Sequence, residues 1–242
     1  MAPLELLDIT NGIFGLIFII ISMFVGFSII AKYLNNKNIN LLYVGITWLF
    51  VCSAWWGVST SFIVALFNGG EGLPLEAILL INFMPLPIGL LSWMMAFTNF
   101  LYKEKQKIIL LAIIAFIVFF YSIFLWLVFT DATQVATKIS AVDTQSENPM
   151  MVICLLGFIL ILLCTGVIFS IKTIKLDDPD MKLKGKLLLI AFPAFSISAL
   201  MDAAIETTAV TLVIFRVLLI ISAILFYGGF ILPDWMKKLF KK

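Results

Sequence analysis

The chain has 242 residues, 63% hydrophobic and 12% charged, with a formal net charge of +2 and no histidine. Soluble domains carry roughly 25% charged residues, so a water-soluble globule is excluded, and a mean hydropathy of +1.16 with 14 glycines and 8 prolines also excludes collagen-like and disordered chains. At about 20 apolar residues per membrane helix, the expected fold class is an all-α integral membrane protein, a seven-transmembrane-helix bundle.

Apolar runs bounded by charge or turn residues place the spans at about 9–34, 41–67, 75–101, 108–129, 150–171, 187–205 and 210–231. The first follows Glu5 and Asp8 rather than a basic stretch and outlasts a signal-peptide core, so it reads as a retained span. The second carries Trp55 and Trp56, then Ser59, Thr60 and Ser61, with Ser53, Gly57 and Ser61 forming a ladder of small residues suited to close helix packing. In the third, Asn82 precedes Pro85 and Pro87. Two prolines one residue apart remove two backbone donors, and a kink or opening that frees the carbonyls of Ile81 and Phe83 is expected there. A similar interruption is expected at Pro193 in the sixth span, so Pro85, Pro87 and Pro193 are the candidate hinges.

The connections sort by charge. Lys32, Lys37, Lys103, Lys105, Lys107, the segment Lys172 to Lys186 and the tail lysines lie on one side, leaving only Lys138 on the other. Lysine-rich connections stay in the cytoplasm, which sets the N-terminus outside, the C-terminus cytoplasmic and the localisation as a multi-pass protein of the cell membrane. Residues 1–242 form a single membrane domain, since neither the loop from Asp131 to Asn148 nor that from Lys172 to Lys186 can bury its own core. Residues 232–242, with Trp235, Leu239 and Phe240 among lysines, read as a basic interfacial tail against the lipid bilayer.

Arg216 is the one basic residue deep in a span, about seven residues into the last helix and roughly 10 Å below its edge. An intramembrane arginine costs at least about 2.5 kcal/mol unless paired or wetted. The connection from Glu206 to Ala209 is so short that the sixth and seventh helices must be antiparallel neighbours, which makes Asp202 its expected partner, with Glu206 one turn away on the same face. Arg216, Asp202, Glu206, Asn82 and Thr60 are therefore the candidate ligand-binding residues. Metal and catalytic residues are not expected: histidine is absent, the cysteines are isolated within apolar runs, and no nucleotide-binding motif occurs.

The plan of seven spans with the N-terminus out resembles that of microbial rhodopsins, seven-helix receptors and prokaryotic seven-helix sensor modules. Ala191-Phe192-Pro193-Ala194-Phe195 resembles the aromatic-proline segment of a microbial rhodopsin's sixth helix. Laid on the seventh helix of that family, Ile224 takes the place of the retinal lysine, so a retinal cofactor is not expected. The leading expectation is a sensor or receptor-like membrane protein that binds a small ligand from the outer side and signals to a separate cytoplasmic partner. The alternatives are a small-solute or lipid transporter gated by the proline-broken third and sixth helices, and a structural or accessory subunit. An enzyme and a nucleic-acid partner are not expected; self-association into a homo-oligomer stays open.

Overall fold

Capping residues set where the helices begin in the computed structural model, which describes residues 4–146, 148–204 and 208–240. Glu5 and Asp8 form a reciprocal box at the start of α1 (Leu6–Asn36), and the Asn38 side chain accepts from Asn40 N–H to open α2 (Ile39–Val51). Helices α3 (Trp56–Phe67), α4 (Leu75–Phe83), α5 (Leu86–Leu101) and α6 (Gln106–Asp131) follow. Asn148 caps α7 (Pro149–Ile174) with Pro149 in its first turn. Helix α8 (Pro179–Ala204) starts within the charged loop, ahead of the apolar run, because the Asp178 carboxylate accepts from Asp180 N–H and Pro179 needs no partner. Thr208 and Thr211 box the start of α9 (Ala209–Phe230), and α10 (Asp234–Phe240) follows a left-handed Leu232.

Seven helical segments are long and apolar enough to cross a membrane, matching the seven expected spans. Helix α1 packs on α2 and α9, α8 lies between α7 and α9, and α2 packs on α5, so the last span closes a ring against the first. The ring pivots on close approaches. A Cβ on Gly45 would lie 2.9 Å from the Gly26 carbonyl oxygen, which holds α1 and α2 together. Packed aromatics fill the interior toward the lysine-rich end: Trp48 stacks on Phe226 at 4.1 Å by ring centroids, and Trp93 lies tilted against Phe192 at 4.9 Å.

Two of the spans are broken, and their breaks face each other. In the third, α4 ends and α5 begins around Met84-Pro85, as its prolines predict. The carbonyls recruited by neighbours are those of Asn82 and Met84 rather than of Ile81 and Phe83. Ile88 N–H turns to Pro85 O, leaving Met84 O to accept from the Tyr121 hydroxyl, and Asn82 O accepts from Ser53 Oγ. In the second span a 3-10 turn, Cys52–Trp55, separates α2 from α3 without any proline. It is held by the third span: Gly57 N–H donates to Asn82 Oδ1 at 2.6 Å. The expected interruption at Pro193 is corrected: α8 runs through it unbroken. Phe192 and Phe195 on either side are clamped by Trp93 and Trp48, and this packing holds the helix across the missing donor.

The connection between α6 and α7 is a small lid. Strands β1 (Thr137–Lys138) and β2 (Thr144–Gln145) pair antiparallel, with Thr137 opposite Gln145. Val142 at the tip is buried beside Phe62 and Ala65 of α3. Ser61 of the small-residue ladder does more than allow close packing, since its hydroxyl donates to Ala141 O and accepts from Leu73 N–H, fastening two loops to α3.

A Cβ on Gly57 would sit 2.6 Å from Ile78 O and 2.7 Å from Asn82 Oδ1, both fixed at the paired breaks. Gly57→Ala is expected to lower stability by about 1–3 kcal/mol, read as thermal unfolding of the purified protein. Gly157→Ala, whose new methyl meets the end of the Phe116 ring at 3.0 Å, is expected to cost less.

Candidate functional site

Arg216 is 3% exposed, on the α9 face that packs against α1 and α8. Its Nη1 donates to Asp202 Oδ2 at 3.0 Å, the ion pair expected from the short connection between α8 and α9. Its Nη2 donates to Asn11 Oδ1 of α1 at 2.7 Å. Both ends of the Asn11 amide are then engaged, because Nδ2 donates to Asp143 Oδ2 of the lid at 3.0 Å. On the other side, Trp55 Nε1 donates to Asp202 Oδ2 at 2.7 Å, and the guanidinium carbon lies 5.7 Å from the Trp55 ring centroid, within cation–π range. One chain of contacts thus ties the lid, α1, α9, α8 and the 3-10 turn of the second span.

The acids in this chain outnumber the base. Asp143 and Asp202 share one guanidinium, and Asp8 lies close enough to add its charge. Burial pushes the Asp143 carboxyl up to about 6, reinforced by Asp202 and Asp8, while the Thr144 N–H and Arg216 act in the opposite sense. Three buried polar atoms around the pair have no hydrogen-bond partner among the described residues: Arg216 Nε, Ser198 Oγ and Ser59 Oγ. Ser198 lies one turn along α8 from Asp202. Ser59 Oγ would be 2.8 Å from a Cβ at Gly15, one turn from Asn11. The guanidinium therefore keeps one donor without a partner among the described residues.

The other candidate residues are placed elsewhere. Asn82 is buried at the paired breaks, where its Oδ1 accepts from Gly57 N–H and its main-chain oxygen from Ser53 Oγ. Thr60 donates to Trp56 O within its own helix. Neither bonds to Arg216 or Asp202, so of the four described candidates only that pair comes together. Glu206 lies outside the described residues. Asn11, Trp55 and Asp143 complete the network and were not singled out as ligand residues. A lone asparagine near the start of an apolar helix was the available signal for Asn11, whereas nothing local marks Asp143, 132 residues from its partner. Among the described residues no three acids or cysteines are grouped to hold a metal ion.

An open cleft of about 560 Å³ lies between residues 70–74 and 138–141, bridged by Lys138 Nζ donating to Leu73 O at 2.8 Å. The hairpin residues lining it end at Ala141, two positions before Asp143. The class defined by fold and site is that of a seven-helix bundle with the lengths and apolarity of a multi-pass membrane protein, closed at one end by a buried polar network. No protein-family model, curated protein or solved structure matches the chain.

The Asp143 carboxyl titrates near 6 when folded and near its ordinary 3.8 when unfolded, so the folded state binds that proton more tightly. Its contribution to stability is full below about pH 4 and declines as pH rises toward 6, by an amount on the order of 2 kcal/mol. Unfolding of wild type and Asp143→Asn compared from pH 4 to 7 checks this: the wild type should lose stability relative to the variant over that interval.

Proposed function

We propose that the protein is a receptor-like sensor of the cell membrane, with its N-terminus and lid outside and its lysine-rich end in the cytoplasm. It takes a small anionic solute, of carboxylate type, from the lid end and signals to a separate cytoplasmic partner. The supporting observation is the unbroken chain from Asp143 through Asn11 to Arg216, Asp202 and Trp55. A buried charge pair is a costly way to hold helices together, and an apolar replacement is often as stable. Here it joins the short hairpin of the lid to three helices at once. An anion reaching the guanidinium through the spare Nε donor competes with Asp202 and Asp143. It favours whichever arrangement releases them, and differential binding of this kind is the requirement for a ligand-driven shift.

The orientation rests on the lysines, fourteen of fifteen of which belong to one set of alternating connections. A transporter is the second reading, favoured by the facing helix breaks at 52–55 and around Pro85, because open backbone deep in a membrane suits a passage or gate.

A panel of small mono- and dicarboxylates tested for thermal stabilisation of the wild type and of Arg216→Gln, followed by flux in proteoliposomes, separates the readings. The sensor predicts a stabilising carboxylate whose effect is lost in Arg216→Gln, without flux. Flux of the same solute, abolished in Arg216→Gln, selects the transporter. If no carboxylate stabilises the wild type and Arg216→Met is as stable as the wild type, the network is structural and the chain an accessory subunit.

A further inference from the structure

At the end opposite the lid, three lysines from three helices converge. Lys32 of α1, Lys184 of α8 and Lys237 of α10 are near enough for Lys184 to feel the charge of both others, and for Lys32 and Lys237 to feel each other's. Like charges repel, so such a cluster is unfavourable unless something anionic answers it. The protein answers only part of it. Lys237 pairs with Asp180 at 2.6 Å. Lys32 gives its ammonium to a neutral group, the Ile231 carbonyl at the end of α9, at 3.1 Å. Lys184 has no hydrogen bond or ion pair among the described residues, although it is half-buried and feels Asp180 and Asp178. Asp234 adds its charge only on the Lys237 side.

The surroundings are amphipathic. Helix α10 docks through Met236, which is buried with Leu187 and Leu232, and a Cβ on Gly228 would meet the Met236 side chain. This seats Lys237 beside α8 and leaves Trp235, Leu239 and Phe240 exposed on the same short helix. Ammonium groups flanked by exposed aromatic and aliphatic side chains at the end of a membrane-type bundle match a phosphate attached to acyl chains better than a free anion.

We propose that Lys32, Lys184 and Lys237 form a binding site for the phosphate of an anionic phospholipid headgroup, with Trp235, Leu239 and Phe240 lying against its acyl region. The site depends on the bundle being membrane-embedded and is independent of the solute assigned to Arg216. The lipid phosphate supplies the direct anionic partner that Lys184 and Lys32 lack and joins the first helix to the sixth span and the tail.

Native mass spectrometry of the full chain, titrated separately with phosphatidylglycerol and phosphatidylcholine, tests the site. Phosphatidylglycerol should be retained in preference, and Lys184→Gln and Lys32→Gln should each weaken it by about fivefold, the value of roughly 1 kcal/mol per basic residue at an anionic surface. Lys184→Arg should keep most of the affinity, and Lys138→Gln, at the lid end, all of it. Should either glutamine variant fail to fold, Lys237→Gln takes its place. Equal retention of the two lipids, or glutamine variants that bind like the wild type, overturns the proposal. Inorganic phosphate at matched ionic strength serves as the remaining arm. If it displaces phosphatidylglycerol and binds with the same lysine dependence, the site is for free phosphate and the lipid assignment falls.

Discussion

A guanidinium surrounded by apolar helices must be neutralised and hydrogen-bonded where it stands, because no solvent shell can do it. Meeting that requirement for Arg216 organises one end of the protein. Asp202 supplies the charge, Asn11 the second acceptor and Trp55 the aromatic face. Each comes from a different part of the ring of helices, so the relative positions of α1, α8, α9 and the second span are tied to one side chain. The amide of Asn11 carries the constraint outward, since with its oxygen committed to Arg216 its nitrogen can only donate, and Asp143 is the acceptor it finds.

The paired breaks contribute to the same arrangement. A continuous helix through Cys52–Trp55 would leave Asn82 O and Oδ1 without Ser53 Oγ and Gly57 N–H. Instead the 3-10 turn and the opening at Pro85 satisfy each other across the interface of the second and third spans, with Trp55 at the end of the turn bonded to Asp202. Stabilising one span therefore bears on the other and, through Trp55, on the charge pair.

The seven spans could be read from the sequence because a membrane helix must be apolar over about 20 residues, a signal strong enough to survive errors of a few residues at each end. The Arg216–Asp202 pair was legible for a different reason: a short connection forces neighbours. What escaped depends on contacts that no local pattern records. The break in the second span has no proline and is held by hydrogen bonds to the third, while Pro193 has the signature of a break yet lies within a continuous α8, flanked by Phe192, Phe195 and the tryptophans around them. Asn82 reads as a pocket residue because a buried amide needs partners, but its oxygen takes the Gly57 N–H rather than a group beside Arg216. Asp143 sits in a polar loop, where a carboxylate is unremarkable until the lid folds it inward.

The two ends of the bundle thus present opposite chemistry: a closed, acid-rich network beside a hairpin, and a group of converging lysines beside an amphipathic helix. The central claim is that Arg216 couples the lid to the second span across the helix ring. Hydrogen–deuterium exchange of the full chain, comparing wild type with Arg216→Met, tests it directly. The account predicts faster exchange in the variant at residues 137–145 and 52–57 as well as around position 216. An increase confined to α9, with the lid and the 3-10 turn unchanged, would contradict it.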